Sequence, residues 1–406
     1  MKKTPRRIVI AGAGIAGLTT ALAFARQGFE TTIVERAERL TEVGAGLQLS
    51  PNATRVLARL GVLDRLFPVS IRPRSVALRD AVSLALLAEV PLGLEAEKRW
   101  KAPYLVLHRA DLQAALIASV REEKNIRLML GATLGHIASG EREIVASIGS
   151  AGNTEELRCD LLIGADGVWS AARTFVTGAA HSRPSGRMAW RATVKSDSPL
   201  AASLQATFTA GSVMAFLHPA AHLIAYPVKA GAEINLALLM KGNAPAGSWS
   251  ARPDIRPLAN AMANWAPSLA SLPREAGPWT AWPIHTVNPS GNWTDSRGIV
   301  LVGDAAHAMT PFAAQGAAMA IEDAATLAAL VAATPEDLPR ALARYEELRR
   351  PRIQRVARRG AFNHFAWHAA GPIALVRNLV LKTRSPQKLA ADLDWLYGWD
   401  VKDEKG

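Results

Sequence analysis

Three groups of residues in this chain have types and spacings that could do chemistry. The first is Gly12, Gly14 and Gly17 in the run GAGIAG, with Ala16 beside the last, followed downstream by Glu35 and Arg36. Gly12 permits a tight turn, Gly14 lets the backbone approach a pyrophosphate, and Gly17 lets a helix pack against a strand. A helix starting there would present free N–H groups and a positive dipole end to phosphates, while Glu35 would accept hydrogen bonds from ribose hydroxyls. The second group is Gly303 and Asp304, a carboxylate set directly after the apolar run GIVLV, then Pro311, then a helix of small residues opening with Gly316 and Ala317. The third is His222 and Tyr226 in HLIAYP, whose even spacing puts both side chains on one face of a strand.

Local patterns supply the elements that must position these groups. Arg7 to Ala11 is a β-branched run, LTTALAFARQGFE has helical apolar spacing, and Thr31 to Val34 is a second short strand ending at Glu35. Strand, glycine turn, helix, strand and acid in that order read as a dinucleotide-binding unit, against the plainer alternative of an ordinary glycine turn. The unit leaves open whether the dinucleotide is FAD or NAD. GAGLQLSPNATRVLARLG, which contains Gly46, reads as glycines, a strand, a Pro-Asn turn and a helix. VLHRADLQAAL sets Arg109 before Asp111, which is expected to cap the helix carrying Gln113. CDLLIGADGVWSAAR is another apolar strand, ending in a turn that holds Asp166. Between Gly178 and Trp279 short β-like segments such as MAWRATV, VMAFLH and EINLALLM predict an inserted antiparallel sheet.

The three fingerprints GAGIAG with Glu35, DLLIGADGVWSAAR, and GDAAHAMTPFAAQGAAMAIEDA together resemble the flavoprotein aromatic hydroxylases, the single-component FAD monooxygenases, in the salicylate and 3-hydroxybenzoate hydroxylase-like branch. The similarity runs from Ile8 to about Trp399, since GPIALVRNLVL and DWLYGWD also resemble that branch. It implies an α/β fold of p-hydroxybenzoate hydroxylase type: a Rossmann-like FAD-binding domain from 1–75, 100–178 and 280–340, an inserted, mostly antiparallel substrate-binding sheet from 76–99 and 179–279, and a helical C-terminal region over 341–406. It also implies FAD as cofactor, NADH or NADPH as co-substrate, and transfer of one oxygen atom from O2, through a flavin C4a-hydroperoxide, to a phenolic or aromatic-acid ring.

By the same resemblance Glu35 binds the adenosine ribose, Arg109 and Gln113 contact the sugar-phosphate chain, Asp304 binds the ribityl chain, and Asp166 supports the FAD and nicotinamide side. Gly12, Gly14, Ala16, Gly17, Arg36, Gly46, Gly303, Gly316 and Ala317 complete the expected cofactor contacts. Pro311 falls near the reactive edge of the flavin. His222 is expected to act as base or hydrogen-bond partner of the substrate, with Tyr226 beside it, because a phenolate pushes electron density into the ring. Arg191 is a candidate for pairing a substrate carboxylate, against a surface salt bridge. His218 and His307 read as structural. Where many relatives carry an Asp-Arg pair, this chain has WPIHTVNP, Trp282 to Pro289, and His285 is expected to replace part of that polarity. Other readings are a monooxygenase of a larger or heteroaromatic substrate, with a lipid-facing C-terminal tail, or a flavin-binding protein without oxygenase activity.

Composition bounds these expectations. The 406 residues exceed one compact core, and 49% hydrophobic with 20% charged residues is ordinary for a globular enzyme. The net charge of +12 would attract anions, but the cations are scattered or lie in the run Arg340 to Arg359, read as solvated surface, with no aromatic interleaving to suggest nucleic acid. A single cysteine, Cys159, excludes an internal disulfide and fits a reducing compartment. MKKTPRRIVIAGAG is too short in apolar residues for a secretory signal, and no window is expected to span a membrane. A cytoplasmic enzyme, with a homodimer left open, is the resulting expectation.

Overall fold

The computed structural model describes residues 7–40, 45–139, 143–150, 153–242 and 253–404. The basic start of the chain, on which the absence of a secretory signal was judged, lies outside the described residues. The apolar runs ahead of the three glycine turns become strands of one six-stranded sheet, ordered Thr294–Asp295, Ile299–Leu301, Leu161–Gly164, Arg7–Ala11, Glu30–Glu35 and Ile126–Leu130. Every pair is parallel except the outermost, Thr294–Asp295 with Ile299–Leu301. A parallel sheet covered on both faces needs continuously apolar strands, and Leu161–Gly164 and Ile299–Leu301 are buried at every residue. Because these strands run the same way, their carboxyl ends deliver Gly12, Glu35, Asp166 and the Gly303-Asp304 pair to one edge.

The second sheet has seven strands, ordered Thr280–Val287, Ser182–Lys195, Glu233–Lys241, Ala221–Val228, Ser212–Leu217, Ser75–Asp80 and Leu86–Pro91. It is antiparallel apart from the pairing of Ser212–Leu217 with Ser75–Asp80. Alternation along Ala221–Val228 separates its two faces. Ala221, Leu223 and Ala225 join a core with Leu258, Met262, Trp265 and Leu269 of the short covering helices, whereas Ile224 and Tyr226 pack toward the parallel-sheet core. Thr280–Val287, which the sequence groups with the dinucleotide unit, is hydrogen-bonded into this second sheet. A separate three-stranded antiparallel sheet, Ala132–Ser139, Ile144–Ser150 and Asn153–Cys159, was not foreseen.

The small-residue helix is Gly316–Ala333. It passes the length and composition test for a membrane span that the sequence reading expected no segment to pass, yet 61% of it is buried inside the fold. It packs against the glycine-loop helix Ile15–Ala25 and against the long C-terminal helix Leu338–Trp367. That helix corrects the reading of Arg340 to Arg359 as solvated: Arg349 is completely buried, and its guanidinium meets Glu322 Oε2 at 2.7 Å and Asp323 Oδ1 at 2.8 Å. Two arginines then clasp the end of the chain. Arg55 donates to the carbonyls of Trp100 and Trp399, and Arg352 donates to Trp395 O at 3.0 Å and Leu396 O at 2.9 Å.

Candidate active site

The glycine turn is shaped by contacts that side chains would forbid. Gly12 has φ +103°, and a Cβ there would stand 2.6 Å from Ala165 O. A Cβ at Gly17 would stand 1.9 Å from Gly12 O, so the helix lies against the turn, while the space beside Gly14 is open. No side chain caps the helix that starts after Gly14. Glu35 is fixed by two backbone donors, Ala13 N at 2.8 Å to Oε2 and Ala37 N at 2.9 Å to Oε1, with Arg36 between. Gln113 is buried and donates to Ala13 O at 3.3 Å, and Arg109 N donates to Ala45 O at 3.0 Å. The expected cap at Asp111 is displaced: the helix begins at Arg109, and the His108 side chain accepts from Ala110 N, which leaves Asp111 inside the first turn.

The other two turns are stapled together by Arg173, a residue the sequence reading passed over. Its guanidinium donates to Val168 O at 3.0 Å on one side, and to Asp304 O at 3.2 Å and Ala305 O at 2.9 Å on the other. Asp166 Oδ2 accepts from Ala171 N and Ala172 N, and its buried Oδ1 has no partner among the described residues. Asp304 is exposed although Gly303 and Ala305 on either side are buried. Gly303 donates its N–H to Asp323 Oδ2 at 2.9 Å, and the same oxygen lies 2.7 Å from His307 Nε2, so His307 is structural. Burial works to raise the Asp323 pKa, but His307 and Arg349 hold it at about 2.

This ionic cluster extends to the start of the small-residue helix. Asn52 Nδ2 donates to Glu322 Oε1 at 2.7 Å and to Gln315 Oε1 at 3.2 Å, and Gln315 Nε2 donates to Ser50 Oγ at 2.9 Å. Gln315 immediately precedes the helix, and the space beside Gly316 is open. Ala317 follows on the same turn. The open backbone at Gly14 and Gly316, the exposed Asp304 and the unpartnered Asp166 oxygen all suit a bound FAD, which needs close main-chain approach at its pyrophosphate and a hydrogen-bond acceptor on its polyol chain.

Opposite this edge stands the seven-stranded sheet. His222 and Tyr226 are on its same face, 1% and 3% exposed. The His222 ring lies 5.4 Å from Phe312, next to Pro311 in the loop before Gly316, and 4.9 Å from Trp367. Its Nδ1 is 3.1 Å from His368 Nε2. Burial, then the charges of His368, His364 and Arg187, push its pKa well below the usual value. Burial likewise raises the Tyr226 phenol, opposed by Arg191 and by a hydrogen bond to Gln48. Arg191, half-buried, pairs across the sheet with Ala237, which itself pairs with Ile224 between His222 and Tyr226. Gly46 joins the two halves of the site. Its N–H donates to Asn235 Oδ1 at 2.7 Å, and a Cβ on it would stand 2.6 Å from both Tyr226 Cε2 and Asn235 Cγ.

Two further histidines lie to the side of His222. His285 sits with its ring 4.2 Å from Trp169 and its Nδ1 3.4 Å from Ser182 Oγ, at the Asp166 turn rather than beside His222. His218 turns to the outer core, where its ring is 5.5 Å from Trp265 and its Nδ1 accepts from Ala220 N.

Known proteins agree with this architecture. The family described as FAD binding domain matches residues 6–360. A 3-hydroxybenzoate 6-hydroxylase of Polaromonas naphthalenivorans is 32% identical over 399 residues, covering 97% of this chain and 96% of that protein. Among solved structures, Klebsiella pneumoniae HpxO complexed with FAD and uric acid superposes with a TM-score of 0.83 at 23% identity, covering 97% of this chain and 96% of that one. A salicylate hydroxylase substrate complex does so with a TM-score of 0.81 at 22% identity, covering 99% and 97%. With the edge of three glycine turns facing a polar sheet wall, the chain belongs to the FAD-dependent aromatic hydroxylases, monooxygenases that use reduced nicotinamide and O2 to hydroxylate an aromatic ring.

Proposed function

We propose that the substrate is a phenolic aromatic acid of the hydroxybenzoate or salicylate kind, held between the His222–Tyr226 face and the Pro311-Phe312 loop. The observation that carries this reading is the pair of buried polar side chains on one sheet face, His222 against Phe312 of the loop ahead of Gly316 and Tyr226 against Gly46. FAD supplies the redox chemistry and the activated oxygen. The chain's residues then have three tasks. His222, kept neutral by its surroundings, takes or shares the phenol proton; Tyr226 holds the ring hydroxyl or carboxylate; and Arg191, close enough to act on the Tyr226 phenol, offers charge to a substrate carboxylate. Phe312 and Trp367 exclude water around His222.

On the cofactor side, Gly12, Gly14, Ala16 and Gly17 would cradle the pyrophosphate, Glu35 and Arg36 the adenosine ribose, and Arg109, Gln113 and Gly46 the connecting chain. Asp304 with Gly303 would take the ribityl hydroxyls, Asp166 the nicotinamide-facing side, and Gly316 and Ala317 the electron-rich edge of the ring. His285, its ring tilted against Trp169, is assigned a supporting place beside the Asp166 turn rather than at the substrate. For the division of the chain, we assign 1–75, 100–178 and 280–340 to the FAD unit and 76–99 with 179–279 to the substrate sheet, Thr280–Val287 being the seam that pairs with the sheet; 341–406 is the C-terminal region.

A cytoplasmic location fits the reduced, buried Cys159. A homodimer fits the exposed apolar residues Ile373, Leu375, Val376, Leu379 and Val380, which cluster on the one helix Gly371–Thr383. Sedimentation of the Leu375→Glu, Leu379→Glu double variant should give monomers if this face pairs with a second copy; vesicle binding by a wild-type monomer would reassign the face to lipid. The main test is a panel of hydroxylated benzoates, nicotinates and larger ring compounds with NADH and with NADPH. A hydroxybenzoate should quicken nicotinamide oxidation and yield a hydroxylated product by mass spectrometry. Product only from larger or heteroaromatic rings, or no product from any ring, overturns the reading.

A further inference from the structure

The His222 ring is tied to two further histidines of the C-terminal helix, and their hydrogen bonds fix which nitrogen carries each proton. His368 Nδ1 lies 3.0 Å from His364 O. A carbonyl can only accept, so His368 carries its proton on Nδ1 and, as a neutral ring, presents Nε2 as an acceptor. Burial and the neighbouring His364 push the His368 pKa to about 4, so the ring is neutral near pH 7. His222 Nδ1, 3.1 Å from His368 Nε2, must then be the donor. The remaining nitrogen of His222, Nε2, is left with its lone pair and makes no hydrogen bond among the described residues. One backbone carbonyl thus sets two tautomers in series and leaves an acceptor on the buried sheet face.

We propose that His368 is the positioning residue that holds His222 in its basic tautomer and receives the proton His222 passes on. The inference rests on His222 as the group that deprotonates the substrate hydroxyl. As the O–H bond of the phenol breaks, a new N–H bond forms at His222 Nε2; the N–H at His222 Nδ1 breaks as one forms at His368 Nε2. His368 is then an imidazolium, and it returns its extra proton to water. No electrons are transferred, and the phenolate remains in the site. Half-buried His368 reaches solvent, which His222 at 1% exposure does not. The groups that face this pair from the packed elements are Arg187 from the strand Ser182–Lys195, His364 from the same helix, and His218 from the loop before His222. Their charges disfavour a lasting positive charge on the pair, while the His364 carbonyl favours it on His368, so a proton delivered to His222 is drawn toward His368 rather than stored.

The test uses the FAD-loaded enzyme and the best substrate from the panel. His368→Gln keeps an acceptor for His222 Nδ1 but cannot take a proton, and His368→Phe removes both functions. In ¹⁵N NMR of labelled protein, wild-type His222 and His368 should both show the Nδ1–H tautomer, with His222 retaining it in His368→Gln and losing it in His368→Phe. Stopped-flow proton release on substrate binding should slow at least 10-fold in His368→Gln at pH 7 with KM changed less than about 3-fold. The rate should recover with added imidazole and at a pH where the free phenol is already ionised. A His222 Nε2–H tautomer in the wild type, or unaltered proton release in His368→Gln, overturns the proposal. So does an equal loss in both variants with neither pH recovery nor imidazole rescue. His222→Asn separates this from the underlying reading: full coupling in that variant removes the base itself, whereas loss there with unaltered His368→Gln removes only the relay.

Discussion

Two polar regions of this molecule are equally well buried and arranged in opposite ways. Beneath the small-residue helix, Glu322, Asp323, Arg349, His307, Asn52 and Gln315 hydrogen-bond one another. On the sheet wall, His222 has one ring nitrogen engaged by His368, and the buried Asn235 Nδ2 has no partner among the described residues. Closed networks hold a shape; open ones leave capacity for a ligand. An unpartnered buried polar group costs about 1–3 kcal/mol, so the wall is a site where stability is lower than packing alone would allow. The ionic cluster keeps the Gly303 turn and the Gln315 helix start in place, and the wall is where we propose that the ring is held.

This contrast can be broken in order of size. Arg349→Met leaves Glu322 and Asp323 buried against fewer cations, and should destabilise the protein by about 3–5 kcal/mol, read by denaturant melts of the FAD-loaded form. A loss below about 1 kcal/mol would show that the network is replaceable. His222→Asn should do the reverse, lowering coupled hydroxylation about 100-fold or more while the melting midpoint stays near wild type. Gly46→Ala lies between the regions. Its new methyl would meet Tyr226 and Asn235 at 2.6 Å, so a loss of about 1–3 kcal/mol is expected together with weaker substrate binding.

The smallest effect concerns acid. His222 and His368 have folded pKa values below those of the unfolded chain. The unfolded state therefore binds more protons between about pH 6.5 and 4, and stability falls as pH drops through that window. Thermal melts from pH 7.5 to 4.5 should show a shallower decline in His368→Gln than in wild type.

Much of this site was legible in one dimension because its parts are local. Glycine turns after apolar strands, an acid at the end of the second strand, and the even spacing of His222 and Tyr226 all depend on neighbours within a few residues. The parts that were missed depend on distant partners. Arg349 looks like one of many arginines on a solvated helix until the fold sets it against Glu322 and Asp323. His368 is 146 residues from His222, and no period in the sequence joins them. Arg173 stands in a quoted motif, yet its bonds cross to Asp304 and Ala305. Asp111 failed as a cap for a local reason: His108 reached the free amide first. The pairing of Thr280–Val287 with the second sheet also depends on a strand distant in sequence, whereas the three-stranded sheet over Ala132–Cys159 is a local meander of consecutive strands that went unread.

The double clasp at the end of the chain has a consequence for synthesis. Arg55 leaves the ribosome 344 residues before its carbonyl partner at Trp399. Glu322 and Asp323 emerge before Arg349 and Arg352. A nascent chain therefore carries Glu322 and Asp323 without these arginines, and Arg55 without its carbonyl partner, until the residues that pair with them have emerged. A product stopped before Arg349 would therefore leave Glu322 and Asp323 without their guanidinium partners rather than present a half-built site.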